Sequence, residues 1–158
     1  MVKVIAEIGC NHKGDIEIAK EMISVAAKVC KADVAKFQKR NIKEVLTPEQ
    51  YNAAHPVPSN SYGPTYGAHR EALEFTIEQH RYLKRHCERE GIVYATSVWD
   101  LTSAREVSEL QPEFIKIPSA TNLNFGIYDY LCANYMGQVH ISTGMATLNE
   151  IGSIVTYF

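Results

Sequence analysis

Ala32-Asp33-Val34-Ala35-Lys36-Phe37, running on into Gln38-Lys39-Arg40, is the stretch that decides the fold. It is a short apolar run that holds one lysine and ends in a cluster of polar and basic groups. Near-continuous apolar character over four to seven residues suits a parallel strand buried on both faces. Four more runs of this kind recur, at residues 2–8, 91–98, 114–117 and 138–141. Between them the apolar spacing turns helical. Over residues 15–30, Ala19, Met22, Ile23, Ala26 and Cys30 fall on one stripe. Thr76-Ile77-Glu78-Gln79 is a capping box opening a helix that Gly91 ends, residues 101–110 form a shorter helix, and Thr147-Leu148-Asn149-Glu150 caps a last one. Strands alternating with helices mean an α/β fold with a parallel sheet.

One connection breaks the rhythm. Residues 41–75 hold Pro48, Pro56, Pro58 and Pro64, with Gly63, Gly67 and three tyrosines. Thr47-Pro48-Glu49-Gln50 caps one short helix, with proline well placed at its first position. The rest reads as irregular. A loop this long inside a compact domain is usually a functional lid or a linker, and its aromatic content favours a lid. Tyr51, Tyr62 and Tyr66 read mainly as packing within that loop.

The chain has 158 residues, 46% hydrophobic and 22% charged, enough for one domain or part of one. Its net charge of −2 shows no bias toward nucleic acid or an anionic membrane. Lys36, Lys39 and Arg40 still cluster locally, and a small anion needs no more than that. The cysteines Cys10, Cys30, Cys87 and Cys132 have neither zinc nor Cys-x-x-Cys spacing. Three fall in helical segments, where buried free thiol is the common role, and this fits a reducing compartment. With no signal peptide and no long apolar span, a cytoplasmic protein is expected.

In parallel α/β folds ligands bind beyond the carboxyl ends of the strands, so the residues closing each run carry the chemistry. Glu7-Ile8-Gly9-Cys10-Asn11-His12 closes the first, Thr96-Ser97-Val98-Trp99-Asp100 the third, Lys116-Ile117-Pro118-Ser119-Ala120-Thr121-Asn122 the fourth, and Ser142-Thr143-Gly144-Met145 the fifth. An ammonium inside a strand is expensive unless it is paired or contacts an anion. Either Lys36 or Lys116 alone could pair with a carboxylate such as Glu7. Two lysines at equivalent positions point instead to a shared anionic ligand, with Ser97, Ser119 and Ser142 as neutral donors. Glu7, among these cations, could transfer a proton or only balance charge. His12 reads as a structural hydrogen-bonder, Trp99 as packing or ligand contact, and His140 lies inside a strand.

These residues carry a family resemblance. Ala6-Glu7-Ile8-Gly9-x-Asn11-His12-x-Gly14, Lys36-Phe37-Gln38-Lys39-Arg40, Tyr62-Gly63-Pro64-Thr65-Tyr66-Gly67, Thr96-Ser97-Val98-Trp99-Asp100, Phe114-Ile115-Lys116-Ile117-Pro118-Ser119 and Ser142-Thr143-Gly144-Met145-Ala146 resemble, in order, the N-acetylneuraminate (sialic acid) synthase family. The resemblance implies a TIM-type (β/α)8 barrel of which about the first five βα units are present. It implies a phosphoenolpyruvate-dependent transferase that forms a C–C bond to an N-acetylated amino-sugar aldehyde such as N-acetylmannosamine and releases phosphate. Carried over by motif, Lys36, Lys116, Ser119 and Ser142 bind phosphoenolpyruvate, with Ser97 a weaker candidate. Glu7 and Gln38 sit beside the reacting carbons and, with the two lysines, make the catalytic set, while Asn60 contacts the sugar. A divalent metal, manganese or magnesium, is implied for the full-length family, with no ligand assigned here, and a homodimer is expected.

Two departures stand out. Many relatives have Gly-Ser-Gly-Glu after the fourth-strand lysine, where this chain has Pro118-Ser119-Ala120-Thr121, so the acidic group is missing. A closed barrel also needs more strands than five, so these 158 residues are expected to be inactive alone. A competing reading is a non-catalytic, flavodoxin-like module binding a phosphorylated metabolite. Strand order separates the two: 1-2-3-4-5 for a barrel segment, 2-1-3-4-5 for the doubly wound sheet.

Overall fold

In a computed structural model, residues 2–157 are described. Five strands, β1 (Ile5–Gly9), β2 (Val34–Lys39), β3 (Val93–Val98), β4 (Phe114–Ile117) and β5 (Gln138–Ile141), form one sheet. Every neighbouring pair is parallel and the order is β1-β2-β3-β4-β5. The doubly wound alternative is therefore wrong. Its sheet would need β1 between β2 and β3, whereas β2 pairs directly with β3 over six residues.

Side chains alternate across each strand, and here the two faces meet different partners. Ile8, Ala35, Phe37 and Tyr94 pack against Ala19 and Ile23 of α1 (Ile16–Lys28) and Leu83 and Cys87 of α5 (Ile77–Glu90). Further along, Val98, Ile115 and Ile117 pack against Ala104 and Val107 of α6 (Leu101–Glu109), Ile127 and Leu131 of α7 (Phe125–Asn134) and Ile154 of α8 (Leu148–Tyr157). The other face holds a small cluster made of strand residues only, Val34, Ala95 and Phe114 with Val93 beside them. Helices outside and strand side chains inside are the layering of a barrel wall.

The caps fall where the residue types direct them. Asp15 accepts from the backbone N–H groups of Glu17 and Ile18, and Asp100 from Ser103. Capping boxes join Thr76 to Gln79 and Thr147 to Glu150; such caps are worth ~1 kcal/mol each. Residues 2–4 lie before β1, which starts later than the apolar run, while β2 continues past Phe37 to Lys39.

The segment 41–75 differs from the expectation of one short helix in an irregular loop. It folds into α2 (Ile42–Val45), α3 (Pro48–Asn52), a 3-10 turn at Pro58–Asn60 and α4 (Tyr66–Ala72). Asn41, Thr47 and Thr65 cap the three helices. The Tyr51 hydroxyl donates to Glu71 at 2.8 Å, and the rings of Tyr62 and Tyr66 stack beside buried His69 at 5.6 and 6.3 Å. Short polar caps and ring packing hold the segment in place of a long apolar stripe, which is why its helices leave no periodic signal. The thiols also differ from expectation: Cys87 is buried, but Cys30, two residues past the end of α1, and Cys132 are exposed.

Candidate functional site

Strand parity sorts the basic cluster of β2 into separate places. Lys36 points to the inner face and its ammonium binds the Glu7 carboxylate, its register partner on β1. Lys39 points to the helix layer, where its ammonium lies 2.8 Å from Glu106 Oε2 on α6. Arg40 leaves the strand end and pairs with Glu74: its Nε donates at 2.6 Å and its backbone N–H at 3.0 Å. Arg40 Nη2 also reaches Cys10 Sγ at 2.7 Å, and its guanidinium lies 5.3 Å from the Trp99 ring. Lys39 and Arg40 are thus committed to the scaffold. Burial pushes the Cys10 thiol and the Glu74 carboxyl up from their ordinary pKa values.

The inner face gathers most of the candidate residues. Glu7, Lys36, Lys116 and Ser142 line one cavity of about 330 Å³, together with Phe114 and His140. Ser97 stands in register with both Gln38 and Lys116, so these three continue the arc across β2, β3 and β4. Gln38 and Glu7 flank Gly9: Gln38 Nε2 and Glu7 Oε1 lie 3.6 and 3.7 Å from where a Cβ on Gly9 would sit. Ser119 and Ser142 likewise flank Gly144, their hydroxyl oxygens lying 3.7 and 3.8 Å from its Cβ position, while Gln38, Ser97 and Ser119 do not line the cavity itself. Asn60 is exposed on the 3-10 turn and lines none of this cavity.

One positioning residue was not singled out in the sequence. Asn122, buried after β4, donates through Nδ2 to Ser142 O at 2.9 Å and accepts at its own backbone carbonyl from the Tyr128 hydroxyl. It braces the end of β4 against the end of β5. An asparagine in a turn is too common to flag without coordinates. His12 takes its structural reading: it is buried, stacked 4.0 Å from Phe75, and accepts from the Gly14 N–H at 3.1 Å.

Chemically, two ammonium groups, one carboxylate and several hydroxyls on a concave strand surface suit a small anion with a proton-transfer group beside it. The described residues contain no group of three or more His, Cys, Asp or Glu side chains placed to hold a metal ion. No helix among the described residues is long and apolar enough to cross a membrane.

The model of the NeuB family matches residues 22–158. The chain is 35% identical over 151 residues to human N-acetylneuraminate-9-phosphate synthase, covering 96% of this chain and 41% of that protein. It is 36% identical over 154 residues to the Drosophila melanogaster protein of the same name, covering 98% and 41%. It is 31% identical over 148 residues to N,N'-diacetyllegionaminic acid synthase of Campylobacter jejuni, covering 94% and 44%. The chain therefore spans about two-fifths of the length of these relatives. Among solved structures, an N-acetylneuraminic acid (sialic acid) synthetase from Leptospira borgpetersenii superposes with a TM-score of 0.79 at 27% identity, covering 99% of this chain and 50% of that one. A truncated 3-deoxy-D-arabino-heptulosonate 7-phosphate synthase from Thermotoga maritima, 15% identical, superposes at 0.64 and shares the fold.

Proposed function

The chain belongs to the NeuB family, and from that premise we propose that it forms the phosphoenolpyruvate-binding part of a nonulosonic acid synthase. The single observation that carries the reading is the shared cavity of Lys36, Lys116, Ser142 and Glu7 on the inner face. The Lys36 and Lys116 ammonium groups match the phosphate and carboxylate of phosphoenolpyruvate, and Ser97, Ser119 and Ser142 supply neutral donors. In the reaction, C3 of phosphoenolpyruvate forms a bond to the aldehyde carbon of an N-acetylated amino sugar, N-acetylmannosamine or a relative, and the aldehyde oxygen gains a proton. Water adds at C2, the C2–O bond to phosphate breaks, and phosphate leaves. The family motif assigns Glu7 and Gln38 to the reacting carbons, with Glu7 as the group that moves the proton.

Asn60, on the segment 41–75, contacts the sugar when that segment closes as a lid over the strand ends. Thr121, where many relatives carry an acid, marks a different demand on the sugar. The protein works in the cytoplasm as a homodimer, supported by four free cysteines and by large apolar side chains left in solvent, such as Met136 at 93% exposure.

The test is the condensation itself. The whole gene product with phosphoenolpyruvate, N-acetylmannosamine and manganese should release phosphate and yield a nonulosonic acid, whereas the 158 residues alone should not turn over. Absence of phosphate release with every N-acetylated amino-sugar aldehyde tried would overturn the reading.

A further inference from the structure

His140 is the one titratable group of the cavity that the proposed reaction leaves without a task. It stands in register beside Lys116 and lines the cavity with Glu7, Lys36 and Lys116. Its ring stacks on Phe114 at 4.3 Å and 15°, which fixes the imidazole plane against the cavity wall. The ring has one long polar contact, 3.4 Å from Nε2 to Gln138 Oε1, so no tight hydrogen bond settles its charge.

We propose that His140 is a third cationic group of this pocket, protonated when phosphate or carboxylate is bound. The inference rests on the reading of the cavity as an anion site. The charged groups lining the cavity with it are Glu7 from β1, Lys36 from β2 and Lys116 from β4. The one carboxylate of the cavity, Glu7, is already engaged by Lys36. A bound dianion supplies a further negative charge, and an opposite charge nearby favours the protonated form. Imidazole is the side chain suited to such a change near neutral pH. By linkage, the anion then binds more tightly as pH falls.

The experiment is titration calorimetry of the protein with phosphoenolpyruvate, in buffers of differing ionisation heat, for the unsubstituted protein and His140→Phe. Phenylalanine keeps the stack on Phe114 and carries no proton. Protonation of phosphoenolpyruvate itself is common to both proteins and cancels. The unsubstituted protein should take up a larger fraction of a proton, and its affinity should fall several-fold more than that of the variant between pH 6 and pH 8. Proton NMR of the His140 ring, which needs no variant, should show its titration midpoint rising when phosphoenolpyruvate is added. Equal proton counts, or an unmoved midpoint with phosphoenolpyruvate bound, overturn the role of His140 alone. No binding by the unsubstituted protein at any pH overturns the anion-site reading itself.

Discussion

Lys36 and Lys39 leave the same strand on opposite faces, Lys36 into the cavity with Glu7 and Lys39 into the helix layer with Glu106. The two lysines are both buried and both paired, but only Lys36 lines the inner-face cavity with Glu7 and Lys116. The side-chain period of two assigns these roles.

Substitution should separate them. Lys36→Ala and Lys116→Ala should each weaken phosphoenolpyruvate binding by about tenfold to a hundredfold, since a charge-assisted contact is worth ~1.5–3 kcal/mol. Lys39→Ala should leave binding unchanged and lower stability, because it strips the partner from Glu106. Calorimetry reads the first pair and urea unfolding the second; a Lys39→Ala protein that loses binding would contradict the assignment of faces.

Acid should destabilise the fold through two histidines. Burial lowers His12 to a pKa of about 4 and His80 to about 3. Unfolded histidine titrates near ~6.5, so the unfolded chain takes up these protons first. Their contribution is complete above pH ~6.5 and declines as pH falls toward 4, by ~1.4 kcal/mol per pH unit for each ring. Urea midpoints measured from pH 7 to pH 4 should follow that slope. His80→Phe, though less stable through loss of the 2.8 Å contact with the Tyr94 hydroxyl, should reduce it by one proton.

Gly14 should tolerate no side chain. Its φ of +78° lies in the left-handed region, and a Cβ there would stand 2.2 Å from the carbonyl oxygen of Ala72 at the end of α4. Gly14→Ala should cost more than ~1 kcal/mol, the penalty of the backbone conformation alone, because the α4 backbone must also move. Thermal unfolding measures it.

Thiol labelling should come in steps. Cys30 and Cys132 are exposed and should react with a disulfide reagent in the native protein, whereas Cys87, buried with its pKa pushed up to about 12, should react only on unfolding. Labelling of Cys87 at the same rate as Cys30 would show that the layer between α1, α5 and the sheet is not packed as described.

The strands were legible because each is an apolar run that ends in chemistry, and the capping boxes at Thr76 and Thr147 marked two helix starts correctly. The parallel order agrees with the motif order, and Glu7, Lys36, Lys116 and Ser142 meet in one cavity as their strand-end positions implied. What escaped the sequence was held by contacts distant along the chain. The Arg40–Glu74 pair spans 34 residues and the Asn122–Ser142 brace spans 20, and neither leaves a local pattern. Lys39 looked like part of an anion-binding cluster because a basic residue carries no mark of which face it will take. The sequence places His140 only within a strand, since nothing nearby in it reveals that Lys116 and Glu7 share its cavity.

The sequential strand order also bears on how the molecule comes into being. Each strand leaves the ribosome after the neighbour it will pair with, so the sheet can grow at one edge without waiting for a distant segment. The Glu7–Lys36 pair can form while β4 is still unmade, and Lys116 and then Ser142 join an arc already in place. The sequential order would allow the cavity to be built in the order of translation, with the Glu7 carboxylate paired before Lys116 is added.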